Sequence, residues 1–342
     1  MRGIARCTTA LAAALLGLGA VTTAGAVASA SPPAAAADGP GALSHFDLAR
    51  KDCVGTARND ASKVWFTVAG GVLSDVYSPT VDNTNVETLQ YVVTDGSTFT
   101  DLQSRDTTYT VRSTDRSGMA CQVTSTAKSG RYRIVTEYVT DPARDSVVME
   151  TRLQVLQGSA RDLRLYVRYD ASINGNGGGG GANGGADSAT VDAATTALVS
   201  SDVSTRSQAA NRDYGVPLFG ALVADRPFPA TESGFAGQPS DGLSQLDASH
   251  RLTAASQDAP NGNVVQTALV DTSRGGRFTL ALGFGQTLPA AVGTATASAR
   301  APFERTRARY LDTWRAYDAP ATLQGATIRA TQAAIPSCGR SS

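Results

Sequence analysis

The chain of 342 residues predicts an all-β fold: antiparallel strands packed as a two-sheet sandwich, with short helices confined to the C-terminal part. Three observations carry that expectation. Long segments alternate apolar and polar residues with a period of two, the mark of strands with one buried face. Turn residues, chiefly Gly, Asp and Pro, recur between these segments at short intervals. From Ala290 onward the turn residues thin out and the apolar period lengthens to that of a helix.

Residues 63–68 and 72–77 are rich in β-branched and aromatic side chains, and Gly70 and Gly71 between them reach the positive φ of a tight hairpin. Residues 89–94 form a third run, which Asp95-Gly96 turns into residues 97–99. Residues 107–114 and 119–126 read as further strands. Over residues 131–140, Tyr132, Ile134, Thr136 and Tyr138 share one face, while Arg131, Arg133 and Glu137 share the other. A turn around Pro142 follows. Val147, Met149, Thr151, Leu153 and Val155 then alternate with Glu150, Arg152 and Gln154. Leu163, Leu165, Val167 and Tyr169 alternate with Arg164, Arg168 and Asp170. These three apolar sets are in register for one core. Residues 174–187 are Gly- and Asn-rich and read as a surface loop. They lack the GKS/T ending of a phosphate-binding loop and the fixed period of a calcium-binding nonapeptide repeat. Residues 190–200 and 216–224 are weaker strands, residues 230–263 are expected to be largely loop, and residues 264–270 and 277–282 are the last two strands. Helices are expected before Pro302 and from there to about Asp318, where Phe303, Thr306, Tyr310, Thr313, Trp314 and Tyr317 recur at helical spacing. This stripe has two readings. It packs on the sandwich, or it partly faces water and drives weak self-association.

Acidic and basic residues balance at 30 each, so no basic field invites nucleic acid. Arg2 and Arg6, the apolar run 11–21 and Ala28-Ser29-Ala30 read as a signal peptide over residues 1–30, which implies a secreted, extracellular protein without a membrane anchor. Residues 31–41 then read as a flexible spacer, 42–288 as the sandwich, 289–318 as linker helices, and 319–342 as a divergent or truncated tail. Cys53, Cys121 and Cys338 remain after cleavage. Cys53 and Cys121 are either bridged or two buried free thiols. No CxxC pair and no Cys/His group has zinc spacing, so no cofactor is expected.

The stretch from Lys51 to Phe99 also carries a resemblance. Its motifs KD-VGTA, SKVWFT, GVL-DVY-P-VD--NV and LQ--VTDG-TF resemble the N-terminal domain of bacterial glucoamylases and glucodextranases, glycoside hydrolase family 15. The likeness continues at Arg105-Asp106-Thr107, over residues 130–149 and 163–170, and at residues 262–267 and 280–285, so it spans roughly residues 40–320. The family usually has Gly where this chain has Cys53. The resemblance implies a supersandwich like that of galactose mutarotases, followed by helices that lead into a catalytic α/α barrel. It also implies an α-glucan or oligosaccharide as the substrate of the full-length relative.

A glycosidase needs an acid and a carboxylate flanking the scissile bond. In the resembled family these are two glutamates of the barrel, which is expected to begin near Pro320. Nothing in residues 322–342 resembles its first helices, so the chain is expected to lack it. The mutarotase fold uses a histidine and a carboxylate, but His45 lies before the first strand and His250 in the expected loop. Asp75, Asp82, Asp95, Asp106, Asp141 and Asp145 read as turn and edge residues. No G-x-S-x-G elbow occurs. No catalytic, metal or cofactor-binding residue is therefore assigned. One loop remains, Val81-Asp82-Asn83-Thr84-Asn85-Val86, read either as a contact for a catalytic domain or as a turn whose Asp and Asn side chains bond their own backbone. Two functions stay open: the non-catalytic N-terminal domain of a secreted exo-acting α-glucan hydrolase, or a stand-alone carbohydrate-binding sandwich that would expose Tyr91, Tyr109 or Tyr166 to sugar rings.

Overall fold

The structure, a computed structural model, describes residues 34–42, 50–175, 187–203 and 217–318. All lie in the second of the chain's two units, Pro33–Ser342. The signal-peptide segment, His45, Cys338 and the tail 319–342 fall outside the described residues.

The Gly70–Gly71 turn, with φ of 60° and 78°, joins the first long hairpin of an eight-stranded sheet. That sheet comprises β1 (Cys53–Gly55), β2 (Trp65–Ala69), β3 (Val72–Tyr77), β4 (Val86–Thr94), β5 (Thr100–Leu102), β10 (Arg164–Ala171), β14 (Ala230–Phe235) and β16 (Val264–Leu269). Its order is β1-β2-β3-β4-β10-β16-β14, with β5 against β4. Nine strands form the second sheet: β6 (Thr107–Ser113), β7 (Cys121–Ala127), β8 (Tyr132–Thr140), β9 (Ser146–Val155), β11 (Ser188–Asp192), β12 (Ala197–Asp202), β13 (Leu218–Ala224), β15 (Asp258–Ala259) and β17 (Arg277–Gly285). Their order is β15-β11-β12-β13-β17-β9-β8-β7-β6. All strand pairs are antiparallel.

The alternating sets of the sequence meet between these sheets. Leu89, Tyr91, Val93, Leu165, Val167 and Tyr169 from the first pack on Ile134, Tyr138, Val147, Met149, Phe278 and Leu280 from the second. The Tyr91 hydroxyl lies 2.7 Å from Thr151 Oγ1 across the gap, and its ring meets Phe278 edge-on at 6.0 Å. Cys53 on β1 and Cys121 on β7 are joined by a disulfide, which staples the two sheets at one end.

Helices cover both outer faces. A single turn, α1 (Gln103–Asp106), links β5 to β6. Within the stretch expected to be loop, residues 230–263, the structure instead has β14, β15 and a helix, α2 (Gly242–Ser249). Asp241 caps that helix by accepting from Leu243 N at 2.9 Å, and Leu246 packs on Val92 and Tyr166 of the first sheet. On the second sheet, α3 (Leu288–Arg300) lies on β13 and β17. It comes so close that a Cβ on Gly283 would fall 2.5 Å from Ala295 N. Ala291, Ala295 and Ala299 on the helix keep that approach short.

α4 (Phe303–Asp318) settles the aromatic stripe against the water-facing reading. Tyr310 is 0% exposed and Trp314 is 3% exposed, and with Phe303 they pack on Ala57, Met119, Ala120, Val139 and Val148. The Tyr310 hydroxyl donates to Met119 O, and Trp314 Nε1 donates to Thr56 O, each at 2.7 Å. The side chain of Tyr317 lies outside the described residues. The stripe is therefore core of this domain, because the outer face of β8 and β9 is itself apolar at Val139 and Val148.

Two further expectations change. Part of the segment expected as a flexible spacer is tied to the sandwich: Ala36 N donates to Asp258 O and Asn263 N to Pro40 O, each at 2.8 Å. Asn174 and Asp187, the ends of the expected surface loop, are buried.

Candidate functional site

A surface with room for a partner lies where α4 ends. A cavity of about 660 Å3 opens there, lined by the segment 56–60, Ser62, Trp65, Val81, Thr313, Trp314 and Ala316. Each wall is held by specific bonds. Asn59 Oδ1 accepts from Ala61 N at 3.1 Å and Ser62 N at 3.0 Å, which folds the segment into an Asx turn. Asn59 Nδ2 donates to Pro142 O at 2.8 Å, and Lys63 N donates to Asp145 Oδ1 at 2.6 Å. Arg58 N donates to Thr313 Oγ1 at 3.0 Å, which locks this wall to α4.

The opposite wall is the loop between β3 and β4. Asn85 Nδ2 donates to Ser78 O at 2.8 Å and to Asn83 O at 2.9 Å, and Asn83 Nδ2 donates to Asn174 Oδ1 at 2.9 Å. With both asparagines turned inward, Val81 is left 48% exposed at the cavity rim. The loop thus follows the Asx-bonded reading for Asn85, and the same bonds present an apolar side chain outward.

Asp60 is the single carboxylate lining this cavity. The arrangement sets the exposed Val81 and Ala316 beside the exposed Arg58, Asn59 and Asp60, a mixed rim suited to a protein surface rather than to acid–base chemistry. The other acids singled out in the sequence bond to groups beside them or stand exposed. Asp95 Oδ1 accepts from Ser97 N, Thr98 N and Phe99 N, and although burial opposes ionisation, these bonds with that of the Thr98 hydroxyl hold its carboxyl below the usual range. Asp75 pairs with Lys51. Asp106 accepts from Leu102 N at 2.8 Å, and Asp141 from the Ser298 hydroxyl at 2.8 Å. Asp82 is exposed on the loop beside Val81. His250 is the left-handed C-cap of α2, its Nδ1 lying 2.9 Å from Thr100 Oγ1. Of the candidate sugar platforms, Tyr91 and Tyr166 are buried, and burial raises the pKa of both phenols. Tyr109 is 43% exposed.

Two layers of antiparallel sheet, a buried interlayer of alternating side chains and two C-terminal helices on the outer face define a two-sheet supersandwich. The sequence profile of glucodextranase domain N matches residues 36–319, and the chain belongs to that family. It is 29% identical over 282 residues to a glucoamylase of Clostridium sp. (strain G0005), an alignment covering 82% of this chain and 37% of the relative. The crystal structure of a bacterial glucoamylase complexed with acarbose superimposes with a TM-score of 0.74 and 28% identity, over 83% of this chain and 39% of that one. The chain thus spans less than two fifths of the length of these relatives.

Proposed function

We propose that this chain is the non-catalytic N-terminal domain of a secreted exo-acting α-glucan hydrolase of the glucoamylase and glucodextranase type, glycoside hydrolase family 15. Its partner is an α/α barrel that carries the two catalytic glutamates, seated against the cavity between Val81 and the end of α4. The observation that carries this reading is the placement of α4. Trp314 and Tyr310 fix the helix to the sandwich, and Ala316 in its last turn lines the same cavity as exposed Val81. A domain joined after α4 would therefore meet this rim first. Export is supported by the charged and apolar N-terminal segment and by the Cys53–Cys121 bridge, since such bridges persist in oxidising compartments. The α-glucan substrate rests on the relatives' activity. A stand-alone sugar-binding role is disfavoured because burial removes Tyr91 and Tyr166 from any stacking platform and leaves Tyr109 as the one exposed ring of the three.

The test is a chimera in which residues 36–318 replace the corresponding domain of the Clostridium glucoamylase. It should be soluble and hydrolyse maltose, and Val81→Asp should lower the yield of active enzyme. The 342-residue chain alone should release no glucose from starch, maltose or dextran. Glucose release by the chain alone, abolished by replacing one of its own carboxylates, would overturn the reading.

A further inference from the structure

At the end of the sandwich where β11 and β12 open, two carboxylates face each other inside the protein. The strands pair with Ser188 opposite Ser201, and one more step of that register sets Asp187 opposite Asp202. Both are fully buried. Like charges at directly opposed positions destabilise a sheet, and burial multiplies the cost. Asp187 Oδ2 accepts from Ile173 N at 2.9 Å, but its Oδ1 meets no donor. Asn174, held in the left-handed region at φ 56°, donates from Nδ2 to Asp202 Oδ2 at 3.3 Å and accepts on Oδ1 from Asn83. Asn83 is 1% exposed, and its own Oδ1 also lacks a donor. The buried Tyr169 hydroxyl stands close enough to feel the charge of Asp187.

This is a surplus of acceptors. A single proton on Asp187 would satisfy its own oxygen and leave that of Asn83. A cation satisfies Asp187 Oδ1 and Asn83 Oδ1 together, with the Asp202 carboxylate beside them. The donors are hard oxygens from carboxylate, carboxamide and phenol groups, without His or Cys, which is the ligand chemistry of calcium. Calcium also tolerates irregular shells of six to eight oxygens, whereas magnesium demands a near-ideal octahedron. We infer that Asp187, Asp202 and the Asn83 carboxamide, with Asn174 and Tyr169 beside them, form a calcium site that joins the second sheet to the β3–β4 loop. Three or more His, Cys, Asp or Glu side chains do not cluster at any one place among the described residues, so this site depends on its amide oxygens.

The inference is independent of the catalytic partner and is tested on the full 342-residue chain. After dialysis against EGTA, calcium titrated in a calorimeter should bind at one site. Calcium at a hundredfold excess over its Kd should raise the melting temperature by about 5 °C, and equimolar magnesium by much less. Asp187→Asn retains an acceptor for Ile173 N and should weaken calcium binding at least tenfold, as should Asn83→Ala. Wild-type protein that takes up no calcium overturns the inference. So does calcium binding left unchanged by both substitutions. A calcium-insensitive wild type that Asp187→Asn stabilises would assign the pair to a shared proton instead. If one variant fails to fold, the wild-type titration and the other variant still decide.

Discussion

Glu232 shows how a single residue can set the pH response of a domain. It lies on the outer face of β14 opposite Thr267, fully buried beneath α2. Oε2 accepts from Ser256 N at 2.9 Å, while Oε1 has no donor. Burial pushes its pKa up to about 7 from an ordinary 4.5; bonds from Ser256 and Gln245 work against that shift, and the charge of Asp38 adds to it. The folded value lies above the unfolded one, so the folded state binds the extra proton between them. The associated stability is complete below about pH 4.5 and is lost as pH rises to about 7, by roughly 3 kcal/mol. Thermal melts at pH 5 and pH 8 should show a lower melting temperature at pH 8. Glu232→Gln should reduce that difference, and an unchanged difference would place the proton elsewhere.

At the scale of elements, α4 is the informative case. Period-3.6 spacing located its stripe, but spacing says only which side chains share a face. What covers that face was decided by Val139 and Val148, which sit in the polar phase of β8 and β9 yet are fully buried. The same signal, an apolar residue out of phase, occurs at Val92 and Tyr166 beneath α2. That helix escaped sequence reading because eight residues with Gly and Ser carry little periodicity, although Asp241 supplies a cap. Since Trp314 is both packed and hydrogen-bonded, Trp314→Ala should destabilise the isolated domain by about 3–5 kcal/mol, measured by denaturant unfolding. The wild-type chain should elute as a monomer in size-exclusion chromatography. Exposed aromatics and self-association would require the helix to leave the sheet.

For the molecule as a whole, the Cys53–Cys121 bridge closes 68 residues and holds the first strand of one sheet against a strand of the other. By loop-closure entropy its loss should cost about 4 kcal/mol, so the Cys53→Ser plus Cys121→Ser protein should melt well below wild type, and wild type under reducing conditions should approach it. An unchanged melting temperature would mean that the thiols are free. The strand alternation, the hairpin at Gly70–Gly71 and the two C-terminal helices were legible in the sequence, because each is a local periodicity or a local φ requirement. The family motifs were legible too, being contiguous. Pairing was not. The Cys53–Cys121 bond, the opposition of Asp187 to Asp202 and the Arg168 contact with Asp241 join residues from separate segments. The rim at Val81 was read as a loop but not as half of a cavity, since part of the facing wall, Thr313, Trp314 and Ala316, comes from residues more than two hundred positions away. The sequence alone thus determined which side chains turn inward, because backbone period and apolarity are local properties. Only the tertiary structure decided which inward faces meet and which polar groups are stranded between them, because sheet register and helix docking bring distant segments together.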